Sequence, residues 1–415
     1  MELYATCAFG LEKLVQEELK KLGVWVVKTE DGRISFRGDE MSLARANMWS
    51  RCADRILIKM AEFTAVTFDQ LFDAVYAVEW EKFIGPKDAF PVAGSSVRSV
   101  LHSEPAMQSI VKKAIVKRLQ AKHGVDLLPE SSNAVFQVMV KANKDVFVVG
   151  LNSSGESLHK RGYRTDSVLA PMKETLAAAL VKLSGWGAGG GITNDKLQMT
   201  NDGVASQPLV DLFCGSGTIP IEAAMVVLNI APGLTRQFAF QQWPWFDKKN
   251  GETARAEARK LAKLPQKEAS GENGVEVLVN SVKLPIYGFD IDADAVKIAE
   301  ENVARAGIGR LNFKRSDFMD LDFSKFENCT FICNPPYGER MEDAGRVRQL
   351  YRELGQKFAQ TKNCSMYLIT SDEMFPALFA EATHRQPDKN RKLFNGNIRC
   401  YLYQYEAKES VEAKK

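Results

Sequence analysis

Apolar residues recur in two rhythms along the chain. Over the first 64 residues, LYATCAF (3–9) predicts a strand, and Leu11, Leu14, Val15, Leu19 and Leu22 then recur at helical spacing until Gly23 stops them. Strands at about 24–28 and 33–37, a helix over 39–49 and a strand at 55–63 complete an α+β pattern. From 65 to 152 the pattern predicts a helix after Thr67, a strand near 95–101, a helix from Ser103 to Lys122, and two β-rich runs, AVFQVMVKA and DVFVVGLN. Those runs read as a hairpin turning at Asn143-Lys144. Ser103 suits an N-cap, and Pro105 is tolerated in the first helical turn.

The rhythm changes after SSGESLHKRGYRTD (153–166), a basic, weakly periodic stretch that predicts a linker. A helix is expected from Pro171, PMKETLAAALVKLSGW, with its end marked by Gly185. Strand and helix then alternate: PLVDLF, a helix over 217–229, LPIYGFD, a helix over 292–306, LNFKRSD, CTFICN, a helix over 344–360, SMYLIT, a helix over 373–381 and a strand around IRCYLYQYE. This alternation predicts a doubly wound, mostly parallel α/β sheet, with ligands at the carboxyl ends of its strands. Residues 231–280 interrupt it with an aromatic piece, QFAFQQWPWFD, and a charged stretch expected to form a short helix followed by a flexible loop. Trp243 and Trp245 read as packing residues.

Composition narrows the class without naming a function. With 415 residues, 45% hydrophobic and 26% charged, the chain has ordinary globular composition and room for about three domains. No apolar run reaches membrane-spanning length and the N-terminus enters an amphipathic pattern at once, so neither export nor a membrane is expected. Seven cysteines without C-x-x-C, and four scattered histidines, point to a reducing cytoplasm and give no metal signature. A net charge of +3 proves no nucleic-acid partner, but its distribution matters: six Lys or Arg residues face one acid, Glu104, between Arg98 and Lys122. On the helix there, Lys112, Lys113, Lys117 and Arg118 lie opposite the apolar stripe, where a merely solvated face is the simpler reading.

Four strand ends carry candidate chemistry. VDLFCGSGTIPIEAA (210–224) is a strand, a glycine turn and a helix start, in which Gly215 and Gly217 allow close backbone approach. Its third motif position is Pro220 and an acid, Asp211, precedes the glycines, which disfavours a pyrophosphate and suits a cationic ligand such as S-adenosylmethionine. In GFDID, Asp290 can accept from ribose hydroxyls while Asp292 caps the next helix. In RSDFMDL, Asp317 can accept from an adenine amino group with Phe318 near the ring. In ICNPPYGERM, the Asn334 amide oxygen and the Pro335 carbonyl are two acceptors held still by Pro335 and Pro336, matched to a planar exocyclic NH2. Tyr337 offers an aromatic face for an extruded base.

DLFCGSG, GFDID, RSD and NPPYGERM in this order resemble the amino-group methyltransferases of RNA. YATCAFGLEKLVQEELKKLG, LHKRGYR and APMKETLAAAL extend the resemblance, over nearly the whole chain, to the THUMP-containing guanine-N2 methyltransferases of large-subunit ribosomal RNA. The resemblance implies a ferredoxin-like lead-in over 1–64, a THUMP domain over 65–155, a linker over 156–170 and a Rossmann-like class I methyltransferase domain over 171–408 with an insertion at about 231–280. It also implies S-adenosylmethionine held by Asp211, Gly215, Gly217, Asp290, Asp317 and Phe318, and a target guanine held by Asn334, Pro335 and Tyr337. RNA contacts would come from Lys112, Lys113, Lys117 and Arg118, and from Lys160, Arg161 and Arg164 of the linker. The implied partner is 23S ribosomal RNA or a large-subunit assembly intermediate; a cytoplasmic protein without metal is expected, its oligomeric state open with a monomer favoured. Some relatives continue into a second methyltransferase unit, so one activity is expected here. Transfer RNA as substrate, a non-catalytic assembly role, and adenine N6 or glutamine as target stay open, because the same two acceptors suit any planar amine.

Overall fold

The computed structural model describes residues 1–126, 134–164, 172–187, 207–263, 266–270, 275–279, 284–337 and 341–408. They form two compact units: Met1–Cys7, Val15–Leu158 and Gly233–Ala258 in the first, and Ala8–Leu14, His159–Pro232 and the residues from Arg259 onward in the second.

The N-terminal elements run β1 (Glu2–Thr6), α1 (Glu12–Lys21), β2 (Trp25–Glu30), β3 (Arg33–Arg37), α2 (Glu40–Trp49), β4 (Arg55–Thr64), α3 (Phe68–Tyr76), β5 (Val92–Val97), α4 (Glu104–His123), β6 (Val138–Asn143) and β7 (Val146–Asn152). All seven strands share one sheet, ordered β2-β3-β1-β4-β7-β6-β5. The expected division at 64/65 therefore falls inside a continuous sheet, because β4 pairs antiparallel with β7 from Leu57↔Asn152 to Thr64↔Val146. Thr67 and Gln70 start α3 with a reciprocal capping box, whereas Ser103 occupies the cap position of α4 without a side-chain cap bond. The β6–β7 turn is Lys144-Asp145 rather than Asn143-Lys144: both residues lie in the left-handed region (φ 51° and 63°), as a tight two-residue hairpin demands.

The chain continues through α5 (Glu174–Ser184), β8 (Leu209–Asp211), α6 (Thr218–Val227), α7 (Lys248–Leu261), β9 (Gln266–Ser270), β10 (Val275–Val279), β11 (Ile286–Asp290), α8 (Ala293–Ala306), β12 (Asn312–Arg315), β13 (Thr330–Cys333), α9 (Met341–Phe358), β14 (Ser365–Thr370), α10 (Phe375–Thr383), β15 (Lys389–Asn395) and β16 (Ile398–Tyr405). The second sheet is ordered β12-β11-β8-β13-β14-β16-β15; its first five strands are parallel, β16 runs against them and β15 pairs antiparallel with β16. β13 and β14 are buried throughout, which is why TFIC and SMYLIT read as continuous apolar runs. β15 was not expected, because KNRKLFN is basic and lacks the alternation of a half-buried strand. The charged stretch is a helix of 14 residues, and β9 and β10 pair antiparallel where a flexible loop was expected. Pro171 lies outside the described residues, and the helix expected from it begins at Glu174.

Residues 233–258 were expected to belong to the second domain, yet they pack into the first unit. Trp243 is fully buried, stacks on Phe136 with ring centroids 5.2 Å apart, and donates its Nε1–H to the Val135 carbonyl at 3.2 Å. Arg45 holds Glu257 with a two-pronged fork at 2.8 and 2.6 Å. Trp243→Ala would leave a cavity against Phe136 and should cost about 3–5 kcal/mol in chemical denaturation.

Candidate active site

The strand order places β8 in the middle of the five parallel strands of the second sheet, with β11 and β12 on one side and β13 and β14 on the other. The side on which successive strands are added thus reverses beside β8, and a crevice opens where connections leave the carboxyl ends in opposite directions. A cavity of about 590 Å³ occupies that crevice, and all four predicted strand ends reach it through Asp211, Asp290, Asp317 and Asn334. Gly215 and Phe318 line it as well.

Each acid is held by the backbone around it. Asp211 is buried, and its Oδ1 accepts from the Phe213 N–H at 3.1 Å. Burial, and secondarily the nearby Asp290, push its carboxyl up to about 8, against the pull of the Phe213 N–H. Asp290 accepts from the Gly215 N–H at 2.8 Å through Oδ2 and from the Asp292 N–H at 3.0 Å through Oδ1. Asp292 caps α8 as expected, accepting from the Asp294 N–H at 2.9 Å. Asp317 accepts from the Met319 N–H at 2.9 Å, capping a short 3-10 turn, and Phe318 packs against Phe213 with centroids 5.4 Å apart.

The two glycines separate in role. Gly215, at φ +49°, has open space where a Cβ would stand. Gly217, at φ +80°, does not line the cavity; a Cβ there would meet Ala299 Cβ and Phe313 Cζ at 3.0 Å. Glycine is required there by the left-handed backbone and by close packing against α8 and β12.

At the fourth strand end, Asn334 and Pro336 line the cavity, while Pro335 and Tyr337 do not. The Tyr337 hydroxyl donates to Asn334 Oδ1 at 2.5 Å, so the acceptor expected to meet an amine is engaged by the ring expected to stack on the base. Gly338, Glu339 and Arg340 of the motif lie outside the described residues. Sequence reasoning missed Met172, ahead of α5, and Arg346, Leu350 and Glu353 on α9. The last three recur at i, i+4 and i+7, the one signal that could have put them on a common helical face.

Profiles of three known domains cover the chain: an RlmL ferredoxin-like domain at 2–57, a THUMP domain at 65–152 and an RMKL-like methyltransferase domain at 197–404. The Bacillus subtilis protein YpsC is 41% identical over the full chain and 98% of its own length. The chain belongs to the RMKL-like methyltransferase family. A ribosomal RNA large subunit methyltransferase K/L from Syntrophotalea carbinolica is 31% identical over 99% of this chain, which spans about half (54%) of that longer protein. SMU.472, a methyltransferase candidate solved in complex with SAH, is 39% identical over 99% of this chain and 98% of its own, with a TM-score of 0.81.

The basic residues of this methyltransferase divide sharply. Lys112, Lys113, Lys117 and Lys160 are exposed. Arg161, expected to meet RNA, is instead interior: its side chain is 1% exposed, with Nε 3.4 Å from Glu222 Oε1, which also accepts from the Tyr163 hydroxyl at 3.2 Å. Arg164 donates to the Met172 carbonyl at 2.9 Å and faces Glu174 at 3.5 Å, while burial pushes the Glu174 carboxyl up to about 7. Arg118 forks onto Glu81 at 2.9 and 2.6 Å. These three arginines serve internal pairs rather than an open RNA surface.

The Asp211 carboxyl links stability to pH. Its folded value, about 8, lies above an unfolded value near 3.9, so its contribution is fully present below about pH 4 and is lost as pH rises toward 8. Asp211→Asn should therefore stabilise the ligand-free protein by roughly 5 kcal/mol more at pH 8 than at pH 4, read from denaturation curves at the two values.

Proposed function

We propose that this chain transfers a methyl group from S-adenosylmethionine to the exocyclic N2 of a guanine in large-subunit ribosomal RNA. The observation that carries this reading is the convergence of Asp211, Asp290, Asp317 and Asn334 on one cavity. Three acids at the ends of β8, β11 and β12 form an acceptor set suited to an ammonium, a ribose diol and an adenine amino group, and Gly215 leaves room for close approach. S-adenosylmethionine would be held by these groups and, when bound, supplies an electrophilic methyl. Family membership, the SAH complex of SMU.472 and the name of the K/L relative support the donor and the substrate class. YpsC is itself named as an RNA methyltransferase candidate.

The residues of the fourth strand end supply orientation. A guanine N2 lone pair is delocalised into the base; acceptors on its two hydrogens draw electron density toward nitrogen and aim it. Asn334 Oδ1 is one such acceptor once the Tyr337 hydroxyl releases it, and the Pro335 carbonyl is the second. Pro335 and Pro336 fix their own φ, so both acceptors are positioned before the base arrives. The amine sheds its extra proton to solvent, and no side-chain base of high pKa is needed. Tyr337, freed from Asn334, would present its ring to the base.

Incubation with labelled S-adenosylmethionine and unmodified ribosomal or transfer RNA, followed by nucleoside analysis, tests the assignment. Label in N2-methylguanosine from large-subunit RNA is expected; label only in N6-methyladenosine, or in neither RNA, rejects it. Asn334→Ala should lower kcat/KM by about 100-fold or more while leaving the donor dissociation constant within about threefold. Tyr337→Phe keeps the ring and removes the hydroxyl that competes for Asn334, so it should retain activity within about threefold, whereas Tyr337→Ala should lose at least about tenfold.

A further inference from the structure

β15 and β16 form the outer hairpin of the second sheet. Residues 389–400, KNRKLFNGNIRC, contain Lys389, Arg391, Lys392 and Arg399 and no acid. Register pairs Lys392 with Tyr401 and Phe394 with Arg399, so the two-residue pleat puts these four side chains on one face. There they alternate as cation and aromatic ring in both directions: Lys392 Nζ lies 5.6 Å from the Phe394 centroid, and the Arg399 guanidinium 5.8 Å from that of Tyr401. Lys392 and Arg399 are exposed, and Phe394 and Tyr401 are half-buried. The acid facing this lattice is Glu373, 2.8 Å from Arg399; both side chains are more than half exposed, so the pair is weak and exchangeable for a phosphate.

The hairpin is also continuous with the site. Thr370, at the carboxyl end of β14, stands opposite Tyr401, so the turn between Asn395 and Ile398 lies at the sheet edge where β8, β11, β12 and β13 deliver their polar ends. The Tyr337 hydroxyl, besides donating to Asn334, is within hydrogen-bonding reach of the Asn395 and Cys400 side chains. The tip of the hairpin thus touches the residue that touches the candidate acceptor of the target amine.

We propose that this face of the hairpin, Lys392, Phe394, Arg399 and Tyr401, is a platform for the single-stranded RNA flanking the target nucleotide. Cations spaced between rings bind phosphates and stacked bases together, a combination that suits an unpaired strand better than a duplex, whose bases are covered. The inference rests on the RNA methyltransferase reading and adds to it the place where the strand next to the extruded base lies.

The full chain and a fluorescently labelled single-stranded RNA 12-mer of mixed sequence provide the test, by anisotropy over a salt series. Lys392→Glu with Arg399→Glu should weaken binding at least tenfold at 100 mM salt and reduce the slope of log affinity against log salt by about 1.4, the contribution of two phosphate contacts on a single strand. Phe394→Leu should cost about tenfold on the single strand and under twofold on a duplex of equal length. Calorimetric binding of S-adenosylhomocysteine should be unchanged in every variant; if the double charge reversal loses it, Lys392→Gln and Arg399→Gln carry the same expectation at about threefold each. The platform is overturned if the hairpin variants bind the strand like the unaltered chain while that chain still methylates RNA, or if the loss is confined to Lys112→Glu with Lys113→Glu on α4. An unaltered chain that neither binds nor methylates RNA would overturn the functional reading first, and the platform with it.

Discussion

The hydrogen bond from the Gly215 N–H to Asp290 Oδ2 joins two strand ends that are 75 positions apart in sequence. A glycine turn that lines a cavity leaves its amides without strand partners, and a buried amide without an acceptor is costly. Asp290 removes that cost at Gly215 and again at its own turn through Asp292. It can do so because β11 lies in register with β8, Gly288 opposite Asp211. A side chain at Gly288 would meet the Phe313 ring at 2.5 Å, so a bare backbone there lets β11 and β12 close up beneath the site. Once the two strand ends are drawn together, Asp211 and Asp290 stand near each other in apolar surroundings, and the raised Asp211 carboxyl follows from that closeness and from burial. The site carries its electrostatic cost in the ligand-free protein, as sites preorganised for a cation do.

The fourth strand end works under a different constraint. Pro335 and Pro336 fix their own φ after Asn334, so the backbone there is restrained and its polar contacts are made by side chains, Tyr337 among them. Its hydroxyl has three polar neighbours, Asn334, Asn395 and Cys400, contributed by the NPPY turn and by the β15–β16 hairpin. The ring is thereby tied at its tip to both segments. Two acceptors and an aromatic hydroxyl are thus carried by four consecutive residues.

Strand ends were legible because each announces itself locally: an apolar run stops at a polar residue and a turn or cap follows, as at Asp290 and Asp292. Parallel alternation then required those ends to lie on one edge, and Asp211, Asp290, Asp317 and Asn334 do so. What was not legible had its cause elsewhere in the fold. β15 lacks strand patterning because it is an edge that needs only one neighbour, β16, and charged residues suit such an edge. Residues 233–258 interrupt one domain in sequence, but Phe136, just before β6, which stacks on Trp243, and Met48 on α2, whose carbonyl accepts from the Gly233 N–H, belong to the first unit. Gly217 satisfies a motif while meeting a packing need, which no spacing rule separates from ligand approach.

Basic residues show most clearly how charge read from sequence differs from charge available to a partner. Arg45, Arg118, Arg161 and Arg164 all turn to acids or carbonyls of their own unit, and Arg236 donates to the carbonyls of Glu156 and Ser157. Lys112, Lys113, Lys117 and Lys160 stay at the surface. The chemistry of the two head groups accounts for the division: a planar guanidinium satisfies several acceptors at once and is weakly hydrated, whereas an ammonium is a compact ion that holds its water. A basic stretch such as LHKRGYR therefore counts for less at an RNA surface than its formal charge, because its arginines are also the residues best able to fasten the segment to the protein. Arg399 departs from this pattern: its acid partner is exposed, and its guanidinium lies over an aromatic ring on a strand pair that reaches the candidate site.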